Sequence, residues 1–159
     1  MSDQLSQKIN RKGLTVWRIH NGLSTLFLII ATIVLFVILK TNDFNMNYVW
    51  IGVGIIVLHL LFFVVVFPYI RWKRWGYEVR EAEIEIQRGL FIVKRTLIPM
   101  ARVQHVDTTQ GPLLRMYGVA DLTISTAATV HIIPAIALNE ADELRRRIST
   151  LARMAKDDV

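Results

Sequence analysis

A chain of 159 residues that is 53% hydrophobic, with a mean hydropathy of +0.38, is more apolar than a soluble domain of mixed structure. Its 19 Lys and Arg against 13 Asp and Glu give a formal net charge of +6. It has no cysteine, which excludes disulfides, thiolate catalysis and cysteine-based zinc or iron–sulfur sites.

Residues 1–22 read as a basic segment, with Lys8, Arg11, Lys12 and Arg18 set against Asp3. Two apolar stretches follow, Leu23 to Leu39 and Tyr48 to Phe67, neither containing a charged residue. As helices they would reach roughly 25 and 30 Å, about the thickness of a bilayer's hydrocarbon core. They read as a transmembrane helical hairpin over 23–67. A signal peptide does not fit, because no small-residue cleavage site follows Leu39 and a second apolar stretch comes at once. The connecting Lys40 to Asn47 is too short to carry a domain, and its Lys40 and Asp43 cancel.

Basic residues flank both outer ends of the pair, with Arg71, Lys73 and Arg74 following the second stretch. Cytoplasmic flanks collect Lys and Arg, so both termini are expected in the cytoplasm and the short loop outside. Juxtamembrane attraction to an anionic leaflet accounts for the charge, and no nucleic-acid motif accompanies it; nucleic acid is not expected as a partner. Tyr48 and Trp50 at one end, and Tyr69, Trp72 and Trp75 at the other, read as interfacial aromatic belts. Antiparallel packing puts Thr32 and His59 at similar depth, which predicts a hydrogen bond between them. Gly52 and Gly54 are positions where a neighbouring helix can approach closely.

From Tyr77 the pattern alternates. Val79, Ile84 and Ile86 share a face opposite charges, as in half-buried strands, and Gly89 marks a turn. Leu90 to Ile98, Val103 to Thr109, Ala120 to Thr126 and Val130 to Ile133 read as further strands, the last two as a hairpin. Gly111 to Gly118 reads as one helical turn. A closing helix is expected with Asn139 as its N-cap and a stripe of Ala141, Leu144, Ile148, Leu151 and Ala155. Strands followed by one amphipathic helix predict an α+β membrane protein: a hairpin, then an antiparallel barrel or curled sheet over 68–159 capped by the C-terminal helix.

Trp75-Gly-Tyr77, Gly89-Leu-Phe91, Ile98-Pro-Met-Ala-Arg-Val-Gln104, Gly111-Pro-Leu-Leu-Arg-Met-Tyr-Gly118 and Leu122-Thr-Ile-Ser-Thr126, after two apolar helices, resemble the YdbS-like bacterial pleckstrin-homology family. The resemblance implies a PH-like domain on the cytoplasmic face of a bacterial cytoplasmic membrane, in a multi-pass protein. It departs from the family at Ala128, where relatives often have glycine, so that turn is expected to be shaped differently.

Catalysis has little support. His20, His59, His105 and His131 fall in separate elements, and Glu81, Glu83 and Glu85 alternate as a solvated face does. No catalytic, metal or cofactor-binding residue is expected. The favoured function is an interaction or assembly module, through another membrane protein with PH-like domains or through self-association, with Arg102, Gln104, His105, Arg115 and Tyr117 as candidate contacts. The alternative is anionic-lipid recognition by Arg71, Lys73, Arg74, Lys94 and Arg95. A transport role for the hairpin ranks below both, since no charged side chain stands beside His59 to form a relay.

Overall fold

The computed structural model describes residues 5–42, 45 and 47–157. The chain divides into two compact units, 17–70 on one hand and the first 16 residues with 71–159 on the other.

The first unit is a pair of helices, apart from their ends at 11–16 and 71–74, which belong to the second unit. Helix α1 runs Arg11–Thr41 and helix α2 runs Asn47–Arg74, both long and apolar enough to cross a membrane. Helix α1 thus begins well before the apolar stretch, because no proline interrupts the segment from Arg11 to Leu23. Asn42 closes it by donating to the Ile38 carbonyl at 2.9 Å, and the Asn45 side chain accepts from the Asn47 amide at 2.9 Å, opening α2. Asp43, Phe44 and Met46 of the connecting loop lie outside the described residues, as does Asp3.

Within α2, Leu60–Val66 is π-helical, flanked by α-helical Asn47–His59 and Phe67–Arg74. The Phe67 amide reaches back to the Phe62 carbonyl. Pro68 has no amide hydrogen to continue that five-residue register, which leaves the Phe63 carbonyl open. The Asn21 side chain takes it at 2.7 Å.

The second unit holds two three-stranded antiparallel sheets, β1-β2-β3 and β4-β5-β6. The first comprises β1 (Gly76–Val79), β2 (Glu83–Arg88) and β3 (Lys94–Pro99), with Tyr77 opposite Ile86 and Ile84 opposite Ile98. The second comprises β4 (Val103–Thr109), β5 (Val119–Thr126) and β6 (Val130–Ala137). Helix α3 (Pro112–Met116) is the single turn between β4 and β5, and α4 (Leu138–Asp157) closes the chain. Of the expected barrel or curled sheet, a closed barrel is not formed: the strands make two separate sheets, and Pro99, which lacks a ladder donor, hands the chain over through a 3₁₀ turn, Met100–Arg102.

The core is built from alternate strand positions and one helical stripe. Ile84, Ile98, Leu122, Ile124, Ile133 and Ile148 are all buried, with Met100 between the sheets. On α4 the buried positions are Ala141, Leu144, Ile148 and Ala152, so the stripe drifts from Leu151 and Ala155 as a 3.6-residue period requires. The helix begins at Leu138, one residue before Asn139, which is therefore not its N-cap. Residues Leu90 to Val93 are not strand but the turn between β2 and β3, because Gly89 adopts φ 141°.

The N-terminal residues also belong to this unit. Gln7 bridges Tyr77, its amide donating to the Tyr77 carbonyl at 3.2 Å and its carbonyl accepting at 2.9 Å. The Asn10 amide donates to the Ala135 carbonyl at 3.0 Å, and Gly13 lies against Ala135, where a Cβ would stand 2.3 Å from that methyl. Trp72 and Trp75, expected at a lipid interface, instead serve this unit. Trp75 is buried, and the half-buried Trp72 donates from its indole to the Ile9 carbonyl at 3.2 Å under the Arg11 guanidinium.

Candidate functional site

Strand β3 pairs with β2 along one edge, and its other edge has no partner strand among the described residues. Facing that edge is the β5–β6 hairpin, and between them lies a groove of about 690 Å³. Its walls include Lys94, Thr96, Leu97, Arg102, Gln104 and His131, with Lys156 arriving from α4. The groove follows from the handover at Pro99. With Met100 fully buried and its amide donating to the Ala82 carbonyl at 2.9 Å, Ala101 and Arg102 turn outward beside the β3 edge.

The hairpin wall is held by its own threonines. The Thr126 amide and hydroxyl both donate to the Thr129 carbonyl at 2.9 Å, while the Thr129 amide donates to the Thr126 hydroxyl at 3.0 Å. That turn needs no left-handed residue, which is why Ala128 can stand there: Ala135 alone among the described non-glycine residues has positive φ.

The groove is cationic. Lys94, Arg102 and Lys156 line it and no carboxylate does. Burial, then the charges of Arg88 and Lys94, push the His131 imidazole below its ordinary 6.5. It is therefore neutral at pH 7, with Nε2 2.8 Å from the Thr129 hydroxyl. The Thr96 hydroxyl is buried without a hydrogen-bond partner, and Leu97 beside it is 53% exposed.

Of the residues singled out in the sequence, the groove gathers Arg102, Gln104 and Lys94. Gln104 is the extra residue of a β-bulge between Val103 and His105, which turns both Gln104 and His105 outward. His105 lines a separate depression of about 240 Å³ with Asp107, Ser149 and Arg153. Arg115 is exposed on α3, and Tyr117 packs on the cluster of Val16, Val119 and Ala135, so neither joins the groove. Arg71 is half-buried near Asp121, Lys73 is exposed, and Arg74 donates to the Leu90 carbonyl. Arg95 is engaged with Glu85 at 3.7 Å and Gln87 at 3.0 Å. Sequence reasoning missed Thr96, His131 and Lys156, since only the handover between sheets brings β3, β6 and α4 together.

The expected Thr32–His59 hydrogen bond is not made. His59 Nδ1 lies 3.2 Å from Thr25 Oγ1 and Nε2 3.3 Å from Ser24 Oγ, two turns from Thr32. The register is set where Gly52 meets Thr32, a Cβ there standing 2.8 Å from Thr32 Cγ2, and Thr32 donates instead to its own helix at Leu28. Gly54 meets nothing within 4 Å, so of the two glycines only Gly52 serves close approach.

The family described as Bacterial PH domain matches residues 23–152. The chain belongs to that family. It is 44% identical over 165 aligned positions, all of both chains, to the transmembrane protein YdbS of Bacillus subtilis (strain 168). It is also 28% identical over 109 positions to the transmembrane protein YdbT of the same organism, covering 65% of this chain and 22% of that one. No solved structure matches. The bacterial PH domain here is thus two sheets and a helix, and its transmembrane relatives fit the two long apolar helices.

Proposed function

We propose that this bacterial PH-domain protein is a two-span membrane tether with both termini cytoplasmic, and that its PH-like domain is a non-enzymatic docking module. The partner is a second membrane protein bearing a bacterial PH domain, which offers an extended acidic segment to the open edge of β3. One observation carries this reading: the 690 Å³ groove joins an unpaired strand edge, exposed Leu97, the unpartnered Thr96 hydroxyl and three uncompensated cations. A strand added to β3 would find main-chain hydrogen bonds, an apolar contact at Leu97 and positive charge.

The non-enzymatic reading is supported by the acids of β1 and β2. Arg80 bridges Glu78, Glu83 and Glu85 at 3.2, 3.3 and 3.5 Å, an ion-pair ladder on an outer face rather than a carboxylate pair. Transport is disfavoured because His59 is engaged by two hydroxyls of its own helix pair.

Photocrosslinking from a reactive residue at Thr129 in native membranes tests the docking. A discrete adduct with a second PH-domain membrane protein, lost on Leu97→Arg, is expected. Adducts with lipid alone, or adducts indifferent to Leu97→Arg, would contradict it.

A further inference from the structure

The turn from β2 to β3 carries four consecutive apolar residues, Leu90, Phe91, Ile92 and Val93, and its tip is bare. Phe91 is 82% and Ile92 84% exposed. A run of exposed apolar residues of this length is a liability in water unless something covers it. The tip is also built rather than loose. Gly89 holds φ 141°, where a Cβ would collide with the Ile92 carbonyl at 1.9 Å, and Arg74 donates to the carbonyls of Leu90 and Phe91.

Cations ring it. Arg88 and Lys94 are direct cross-strand partners at its base, a like-charge pairing that disfavours the hairpin, and neither has a salt bridge among the described residues. Arg74 and Arg95 stand on the same rim. Arg74 is moreover the last residue of α2, and its guanidinium is held against the tip.

We infer that the Phe91–Ile92 tip dips into the headgroup region of an anionic bilayer, its rim of Arg74, Arg88, Lys94 and Arg95 resting on the lipid phosphates. The two sets of residues explain each other: an apolar point without the ring would not be drawn to a charged surface, and the ring without the point would only hover over it. The anionic surface also relieves the Arg88–Lys94 repulsion. This rests on the membrane-spanning reading of the helices and shares only Lys94 with the groove.

Because the chain lacks cysteine, single cysteines can be placed at will in the full-length protein. Ile92→Cys, Phe27→Cys on the exposed surface of α1 and Glu81→Cys at the far end of β2 are labelled with an environment-sensitive fluorophore in vesicles of phosphatidylcholine and phosphatidylglycerol. Expected is strong quenching by lipid-borne nitroxide at positions 27 and 92, several-fold above position 81, with position 92 quenched best by shallow nitroxides. Raising phosphatidylglycerol should deepen position 92, and Arg88→Ala with Lys94→Ala should reverse that. Quenching at 27 but not at 92, with 92 open to aqueous iodide, would overturn the tip's insertion alone. Failure at both 27 and 92 would overturn the spanning reading with it. Protection of 92 from iodide that needs a second protein rather than lipid would likewise overturn the proposal.

Discussion

The helix pair and the PH-like domain use the same apolar residue types in opposite ways. In the domain, Ile84, Ile98, Leu122, Ile124, Ile133 and Ile148 point inward from strands or from one helical stripe and are at most 2% exposed. Along α1 and α2, Leu26, Phe27, Ile30, Val57, Leu58 and Leu61 belong to two uncharged apolar stretches and are exposed. The first pattern excludes water by folding. The second leaves its surface for another solvent to cover, and its helices touch through small or polar residues, Gly52 on Thr32 and His59 on Ser24 and Thr25.

The largest expected effect is therefore in the domain. Ile148→Asp buries an unpaired charge and should cost on the order of several kcal/mol, enough to unfold so small a domain. Limited proteolysis of the full-length protein reads this as rapid loss of the domain with the helix pair intact. Val57→Leu, on the outward surface of α2, should leave both regions unchanged.

Gly52→Leu attacks the other region. The side chain would drive into Thr32, and about 1–2 kcal/mol of helix-pair stability should be lost. Steric-trap unfolding in bicelles measures it, and Gly54→Leu, facing open space, should change far less. If the two glycines behaved alike, Gly52 would not be setting the register.

Tyr77→Phe should cost about 1 kcal/mol by removing a buried hydrogen bond. The Tyr77 hydroxyl donates to Glu140 at 2.9 Å, tying β1 to the first turn of α4, and burial followed by Glu140 pushes its pKa far up. Chemical denaturation compares this variant with wild type. A tyrosine at a lipid interface would show no such loss.

The smallest effect is a pH dependence. Burial raises the Asp121 carboxyl above its ordinary 3.8, against the lowering by the Ala135 amide, which donates at 2.8 Å, and by Arg71. A raised acid pKa means the folded state holds its proton longer than the unfolded state. This carboxyl thus contributes most at low pH, and its contribution falls as pH rises from 3.8 through the raised value. Asp121→Asn can still accept from Ala135 and should remove that slope, with equal or slightly higher stability at pH 7. Stability melts from pH 3 upward compare the two slopes.

What could be read in advance was whatever one segment decides by itself. Alternation around Ile84 and Ile124, the turn at Gly89 and the stripe through Leu144 and Ile148 are local. So is the length of the two apolar runs. What failed depended on how segments meet. The N-terminal residues read only as a basic flank, whereas Gln7 also bridges Tyr77 and Gly13 seats on Ala135, a fit that requires Ala135 at φ 52° opposite a bulge in β5. The strand pattern left a barrel and a curled sheet open, and only the fold shows that Pro99 and Met100 split the strands into two sheets. The groove is the product of that split. Arg102, Gln104 and Lys94 could be nominated from sequence, but Thr96, His131 and Lys156 come from three elements that only the fold joins.

A domain folded in water beside a helix pair able to span a bilayer fixes where each end and loop should lie. A topology reporter fused after Val159, read against the same reporter inserted at Asn45 in the full-length chain, tests it most directly. Cytoplasmic activity after Val159 with external activity at Asn45 is the predicted result. External activity after Val159, or cytoplasmic activity at both positions, would contradict it.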